Sequence, residues 1–295
     1  MDRGDQFPLE TAIGSTPWRP SAIRLRNDPM TTHRPRIGLI GYGYIGKYIY
    51  EQITTRPDLG LQIGFVHNRS AEKVADLPPE LVLADLADFS SRDADLIVEL
   101  AHPDVTRVHG EAFLQQTDYM PLSLTAFSDA ELNDRLQSTA RERGTRIFVP
   151  HGAVIGLDAL EEGRDTWEEV SIRMEKPVRS LDLANDPDHD AAQITGRTTL
   201  FEGSAREICP RYPRNVNSHA AVALAGIGFD RTHCVLVADP DLEASIIELT
   251  ARGGGVEVNI RRENPMQGVS GVMTLMSSLA SIGRAKAVQS GLRVC

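Results

Sequence analysis

"RIGLIGYGYIGKYI" (residues 36–49) decides how the rest of this chain is read. A short apolar run ends in Gly41-x-Gly43-x-x-Gly46, and Ile45, Tyr48, Ile49 and Ile53 then recur at helical spacing. A glycine pattern alone is a common accident, but between a strand and a helix it marks a dinucleotide cradle. Gly41 permits the tight turn, Gly43 lets a pyrophosphate approach the backbone, and Gly46 lets helix and strand pack closely. The first helical residues, Tyr44 and Ile45, then present their N–H groups to the phosphates. All five are candidate cofactor contacts.

Outward from the cradle, "LQIGFVHN" (61–68) predicts a second strand. An acid at its end would favour NAD by accepting from the ribose 2′-OH. The chain has Asn68, Arg69 and Ser70 there instead. The guanidinium fork of Arg69 suits a 2′-phosphate, so NADP is the preferred cofactor and NAD stays open. The plain alternative is a solvated surface arginine.

Further strands are predicted at "DLIVEL" (95–100), "YMPLSL" (119–124) and "TRIFVP" (145–150). Helices are predicted over 104–117 and from Ser128, in capping-box register with Glu131, to a stop at Gly144. Residues 35–150 thus form a Rossmann domain, an α/β doubly wound parallel sheet.

After Pro150 the rhythm changes. Strand-like segments at 170–176, 233–239, 244–252 and 255–263, with a hairpin at "RGGG" (252–255) and a small-residue helix "NSHAAVALAG" (217–226), indicate a second α+β domain over 151–266. The final segment, 267–295, holds a helix over 268–283 with Val272, Leu275, Met276, Leu279 and Ile282 on one side, expected to pack back on the first domain. Residues 1–34 have no apolar period and predict a disordered tail, with Met30 as a natural start for the domain.

A net charge of −10 argues against nucleic acid or an anionic membrane as the partner. Cys209, Cys234 and Cys295 form no C-x-x-C pair and are odd in number, which suits free thiols in a reducing compartment. With no signal peptide and no membrane-length apolar run, the expectation is a cytoplasmic protein. No metal-ligand spacing is present.

"VPHGAVIGLDAL" (149–160), "EKP" (175–177), "LFEGSAREICPRYPRNVNSHAAVALAGIGFD" (200–230), "VLVADP" (235–240) and "RRENP" (261–265) together resemble the aspartate dehydrogenase family, from about Arg36 to the last helix. The resemblance implies a Rossmann domain, an α+β substrate domain, a homodimer, and NAD(P)-linked oxidation of L-aspartate to iminoaspartate. It implies cofactor contacts at Ala126 and Asn217. It also implies a catalytic histidine about thirty residues beyond Asn217, where this chain has Ile247, or Ile246 or Ser245 with a slip of one or two. That departure leaves three readings: a dehydrogenase using another base, a relative acting on another imine or carbonyl, or a non-catalytic NADP-binding sensor.

His219, two residues after Asn217 at a helix start, is the first candidate general base, and His151 in "PHGAV" the second. For each the alternative is a structural histidine. His102 shapes the loop after a strand, and Glu99 either faces the nicotinamide or caps a strand end. An amino dicarboxylate needs cations; Arg173, Lys176 and Arg214 are candidates.

Overall fold

A computed structural model describes residues 33–265 and 271–286. The predicted tail, apart from its last two residues, and Cys295 lie outside the described residues.

The first sheet is built from β1 (Arg36–Ile40), β2 (Gln62–His67), β3 (Leu96–Glu99) and β4 (Asp118–Pro121), all parallel in the order β2-β1-β3-β4. Its central strands are continuous apolar runs because helices and loops cover both faces. Helix α1 (Tyr44–Thr55) follows β1, α2 (Pro103–Leu114) follows β3, and α3 (Ala130–Arg143) follows β4. Between β2 and β3 the connection holds only short 3₁₀ turns.

Three local expectations need correction. Residues 145–150 are not a strand: Ile147 makes one isolated parallel bridge to Tyr119, and the chain then leaves the sheet edge. The cap of α3 is Asp129, whose carboxylate accepts from the Leu132 N–H at 3.1 Å, while the Ser128 hydroxyl donates to the Thr125 carbonyl in the preceding turn. The first domain's second predicted helix begins at Pro103, with the His102 ring capping it by accepting from the Asp104 N–H. Gly144 does stop α3, in the left-handed conformation at φ 70°.

The second sheet has five strands: β5 (Glu169–Pro177), β6 (Thr198–Ser204), β7 (Thr232–Asp239), β8 (Ala244–Gly253) and β9 (Val256–Pro265), in the order β6-β7-β5-β8-β9. β5 runs parallel to β7 and antiparallel to β8. β8 and β9 form the hairpin, turning through Gly254 and Gly255 at φ 58° and 80°, the positive values a tight turn of this hand demands. β6 has no counterpart among the predicted strands.

Helices α4 (Leu157–Glu162), α5 (Ala205–Arg211) and α6 (Asn217–Ala225) join this sheet's core. α6 buries all sides of its small-residue middle, so it runs through the interior. Helix α7 (Val272–Lys286) returns to the first sheet, where Leu279 and Ile282 share a core with Ile37, Leu39, Ile49 and Ile53. Leu275 is also buried, but Val272 and Met276 stay exposed, which narrows the face the helix was expected to bury. From Arg34 onward the described residues make one compact unit, so the two sheets are not separable bodies.

Candidate active site

The cradle comes first, because its glycines test whether a dinucleotide fits. A Cβ on Gly46 would lie 2.1 Å from the Gly41 carbonyl oxygen, and one on Gly41, held at φ 104°, would lie 2.9 Å from the Leu100 backbone. Protein packing accounts for both glycines. Gly43 is different: a Cβ there meets nothing within 4 Å, and it stands ahead of α1, which has no side-chain cap and no acid in its first turn. The helix start therefore presents open N–H donors across a residue whose smallness the protein itself does not require. That is the geometry a phosphate would use.

Asn68 ties this loop to β2. Its Oδ1 accepts from the Tyr42 N–H at 3.0 Å and its Nδ2 donates to the Ser70 carbonyl, while the Gly41 N–H donates to the His67 carbonyl. Arg69 beside it is exposed and makes no interaction among the described residues. Tyr44 is exposed at the helix start and Ile45 reaches the cavity described next.

A cavity of about 270 Å³ opens where the carboxyl ends of β3 and β4 meet the second sheet. Its first wall is Leu100, Ala101 and Leu122–Leu124, its second the 150–153 segment with His151, and its third the start of α6 with Asn217. The Asn217 Oδ1 accepts from the Thr125 N–H at 3.4 Å, and the Thr125 hydroxyl donates to the Pro213 carbonyl, so the two halves are pinned together here. Ala126, one residue on, is fully buried and does not line the cavity.

The floor is a patch on the face of β5, β8 and β9. Met174, Ile247 and Arg262 are successive cross-strand partners, and Lys176, Ser245 and Asn264 lie two residues along on the same face. Two cations thus line one floor. Lys176 makes no hydrogen bond or ion pair among the described residues, and burial lowers its ammonium to about 8. Arg262 is 8% exposed, donates from Nη1 to the Ala153 carbonyl at 2.7 Å, and leaves a buried Nη2 with no partner. Burial also lowers its guanidinium. Of the other expected cations, Arg173 pairs with Glu175 away from the cavity, and Arg214 reaches the rim but pairs with Asp182.

His219 does not reach the cavity. Its ring is fully buried under the sheet, with Nε2 donating to the Val235 carbonyl at 3.2 Å, and burial pushes it down to about 4. A ring sealed from any substrate cannot exchange a proton with it, so the sequence-based assignment gives way to a structural one. His151 lines the cavity, half-buried; burial and the nearby Arg284 charge lower its pKa. Its ring makes no hydrogen bond among the described residues.

Comparison with known proteins completes the site's description. Residues 41–150 match the family model "Homoserine dehydrogenase, NAD binding domain", and residues 158–285 match "Aspartate dehydrogenase, C-terminal". The chain is 35% identical to an aspartate dehydrogenase domain-containing protein of Danio rerio, over 84% of this chain and 93% of that one. It is 30% identical to an L-aspartate dehydrogenase of Methanococcoides burtonii, over 88% of this chain and 98% of that one. The chain belongs to the aspartate dehydrogenase family. A crystal structure of aspartate dehydrogenase from Thermotoga maritima superposes with a TM-score of 0.67 at 26% identity, covering 86% of this chain and 95% of that one. An NAD-binding first half and a nicotinamide cofactor go with that membership. Within the family frame, the place the sequence resemblance gives to a catalytic histidine is Ile247, buried in the cavity floor between Met174 and Arg262.

Sequence reasoning missed Arg262. The "RRENP" stretch offers two arginines, and only the β8–β9 register tells that Arg262 turns inward while Arg261 pairs outward with Glu248 and Glu263. Among the described residues there is no cluster able to hold a metal, and no helix long and apolar enough to cross a membrane.

Proposed function

We propose that the protein is an NAD(P)-dependent dehydrogenase acting on the CH–NH₂ group of an amino dicarboxylate, with L-aspartate as the first substrate, oxidised to iminoaspartate and then released as oxaloacetate and ammonia. The observation that carries this reading is the unpartnered, buried Nη2 of Arg262 beside unpartnered Lys176. A buried guanidinium without a counter-ion is costly, and an anionic ligand removes that cost. Two cations on one floor suit two carboxylates.

When bound, the nicotinamide cofactor supplies the hydride acceptor. The chain's own residues do the rest. Arg262 and Lys176 hold the carboxylates, Asn217 and the Leu122–Leu124 segment shape the cofactor end, and Ile247 with Met174 keeps the floor apolar. His151, shifted below its ordinary pKa and therefore neutral at pH 7, takes the proton from the amine or the attacking water. Tyr44, Ile45, Asn68 and Arg69 complete the phosphate and ribose contacts, with Arg69 favouring NADP. Residues 35–150 serve the cofactor, residues 151–266 the substrate, and two copies associate in the cytoplasm.

Ile247 supports a second reading, a non-catalytic NADP-binding protein or a relative reducing another imine or carbonyl, since an apolar side chain moves no proton. One assay separates them: NAD(P)H oxidation with oxaloacetate plus ammonia, beside a panel of other keto acids. Turnover with oxaloacetate and its loss in His151→Ala support the first reading. Tight NADPH binding without turnover of oxaloacetate installs the second, as a non-catalytic protein if no acid turns over and as a relative with another substrate if one does.

A further inference from the structure

Glu99, the last residue of β3, is fully buried, and no cation pairs with it among the described residues. Its Oε1 accepts from the N–H of Ala101 at 2.6 Å, the N–H of His102 at 2.8 Å and the hydroxyl of Ser123 at 3.0 Å. Its Oε2 accepts from the N–H of Ser123 at 3.1 Å. One carboxyl group thus ties the segment after β3 to the segment after β4, and those two segments are the first wall of the cavity. A strand end needs no charge to be capped. An unpaired buried carboxylate is expensive, whereas a hydroxyl or an amide would satisfy one or two N–H groups at far smaller cost.

From these contacts, and resting on the dehydrogenase reading above, we infer that Glu99 is a positioning residue: its carboxylate locks the Leu100–His102 and Leu122–Leu124 segments together, and that lock sets the shape of the wall against which the cofactor's redox end binds. All four hydrogen bonds require acceptor oxygens. A proton on Oε2 would weaken that oxygen as the acceptor for the Ser123 N–H and loosen the link to the segment after β4, leaving only the Ser123 hydroxyl on Oε1.

Burial pushes the Glu99 carboxyl up to about 7, against the lowering effect of its own donors. The lock therefore closes as pH rises through neutrality. The titratable neighbours are few. Tyr119 on β4 is fully buried, bonds Thr106 on α2, and is raised by its own burial and by the Glu99 charge. The His102 ring at the start of α2 faces Asp104, not Glu99. On β1 the register partner is Ile40.

The test is NADPH binding by fluorescence titration from pH 5.5 to 8.5, without substrate, for the intact protein, Glu99→Gln and Glu99→Asp. Intact protein should bind about tenfold more tightly at the upper end than at the lower, the ratio expected where binding favours the ionised form of one group that titrates near neutrality. Glu99→Gln, with an amide against the Ser123 N–H, should bind at the weak level and lose that dependence; Glu99→Asp should keep it. The 2′-phosphate of NADPH titrates equally in all three proteins, so the difference between them reads Glu99. Should Glu99→Gln fail to fold, hydrogen exchange in the intact protein, corrected for intrinsic rates, still decides: peptides covering 100–103 and 122–125 should gain protection above pH 7. The same pH profile in Glu99→Gln as in the intact protein, or no change in protection, overturns the inference. Absence of binding of both NADPH and NADH at every pH would overturn the dehydrogenase reading and this one with it, a result distinct from either.

Discussion

The two candidate ligand regions are built on opposite principles. The first sheet offers backbone: open N–H groups at the start of α1, reached across Gly43, where a phosphate would fit. The second offers side chains: Arg262, Lys176 and Ser245 projecting from strand faces, each placed by register. A backbone site depends on what is absent, a Cβ, and is written in the local sequence. A side-chain site depends on which strands are neighbours, as the Met174–Ile247–Arg262 pairing shows.

The sharpest way to break this contrast is at Arg262. Arg262→Leu should raise the KM for the dicarboxylate by about a hundredfold or more, the loss expected for a charge-assisted pair in a buried site. The cofactor Kd should not move. Stability should change little, because the lost bond to the Ala153 carbonyl is offset by removing a buried charge that has no partner in the free protein. An unchanged KM would take Arg262 out of substrate recognition and leave Lys176 as the floor's cation.

The backbone site answers to a different substitution. Gly43→Ala should weaken NADPH binding roughly ten- to a hundredfold while leaving the thermal midpoint in place, since its Cβ meets no protein atom. Gly46→Ala is the control that must do otherwise. Its Cβ would strike the Gly41 carbonyl, so the midpoint itself should fall. If Gly43→Ala binds NADPH as the intact protein does, the open space ahead of α1 is not a phosphate site.

The same contrast explains what the sequence could and could not tell. The cradle, the glycine stop of α3 and the two-glycine hairpin are local statements, each enforced by backbone conformations that few residues adopt, and they were legible. The 145–150 segment has the composition of a strand but sits at an edge, where Ile147 finds a single bridge to Tyr119. Ser128 and Asp129 are both good caps, and the Thr125 carbonyl takes the Ser128 hydroxyl, leaving Asp129 to the helix. His219 was chosen because its place two residues after Asn217 at a helix start suggested a position near the nicotinamide, whereas in α6 its side chain is fully buried and bonds the Val235 carbonyl on β7. Arg262 stayed hidden between two arginines until the cross-strand pairing with Ile247 fixed its face.

His219 gives the next test, on stability and not on chemistry. His219→Ala should leave turnover near that of the intact protein and cost about 2–3 kcal/mol of folding free energy, from a cavity and a lost hydrogen bond to Val235. The pH dependence follows from its shift. The folded-state value, about 4, lies below the ordinary 6.5, so the folded protein binds fewer protons than the unfolded chain between those values. Its stabilising share is present above pH 6.5 and is lost as pH falls through 6.5 to 4. Chemical denaturation at pH 7 and pH 4.5 should show that loss in the intact protein and a smaller one in the variant. A hundredfold fall in turnover would return His219 to the role of base.

The smallest effect probes the side chain proposed to choose between the two cofactors at the backbone site. Arg69 is exposed beside Asn68, which is itself locked to the glycine loop through the Tyr42 N–H. The loop thus holds the arginine's backbone in place while its guanidinium has no partner to give up on meeting a phosphate. Because it is exposed, screening by water limits what the contact can contribute. Arg69→Ala should weaken NADPH binding by about 1–2 kcal/mol, the scale of a charged hydrogen bond at an open site, and leave NADH binding where it was. The intact protein should correspondingly prefer NADPH, and the preference should shrink as salt is raised. Equal affinities for the two cofactors in the intact protein would make Arg69 a solvated surface residue, and the first sheet's site would then be backbone alone.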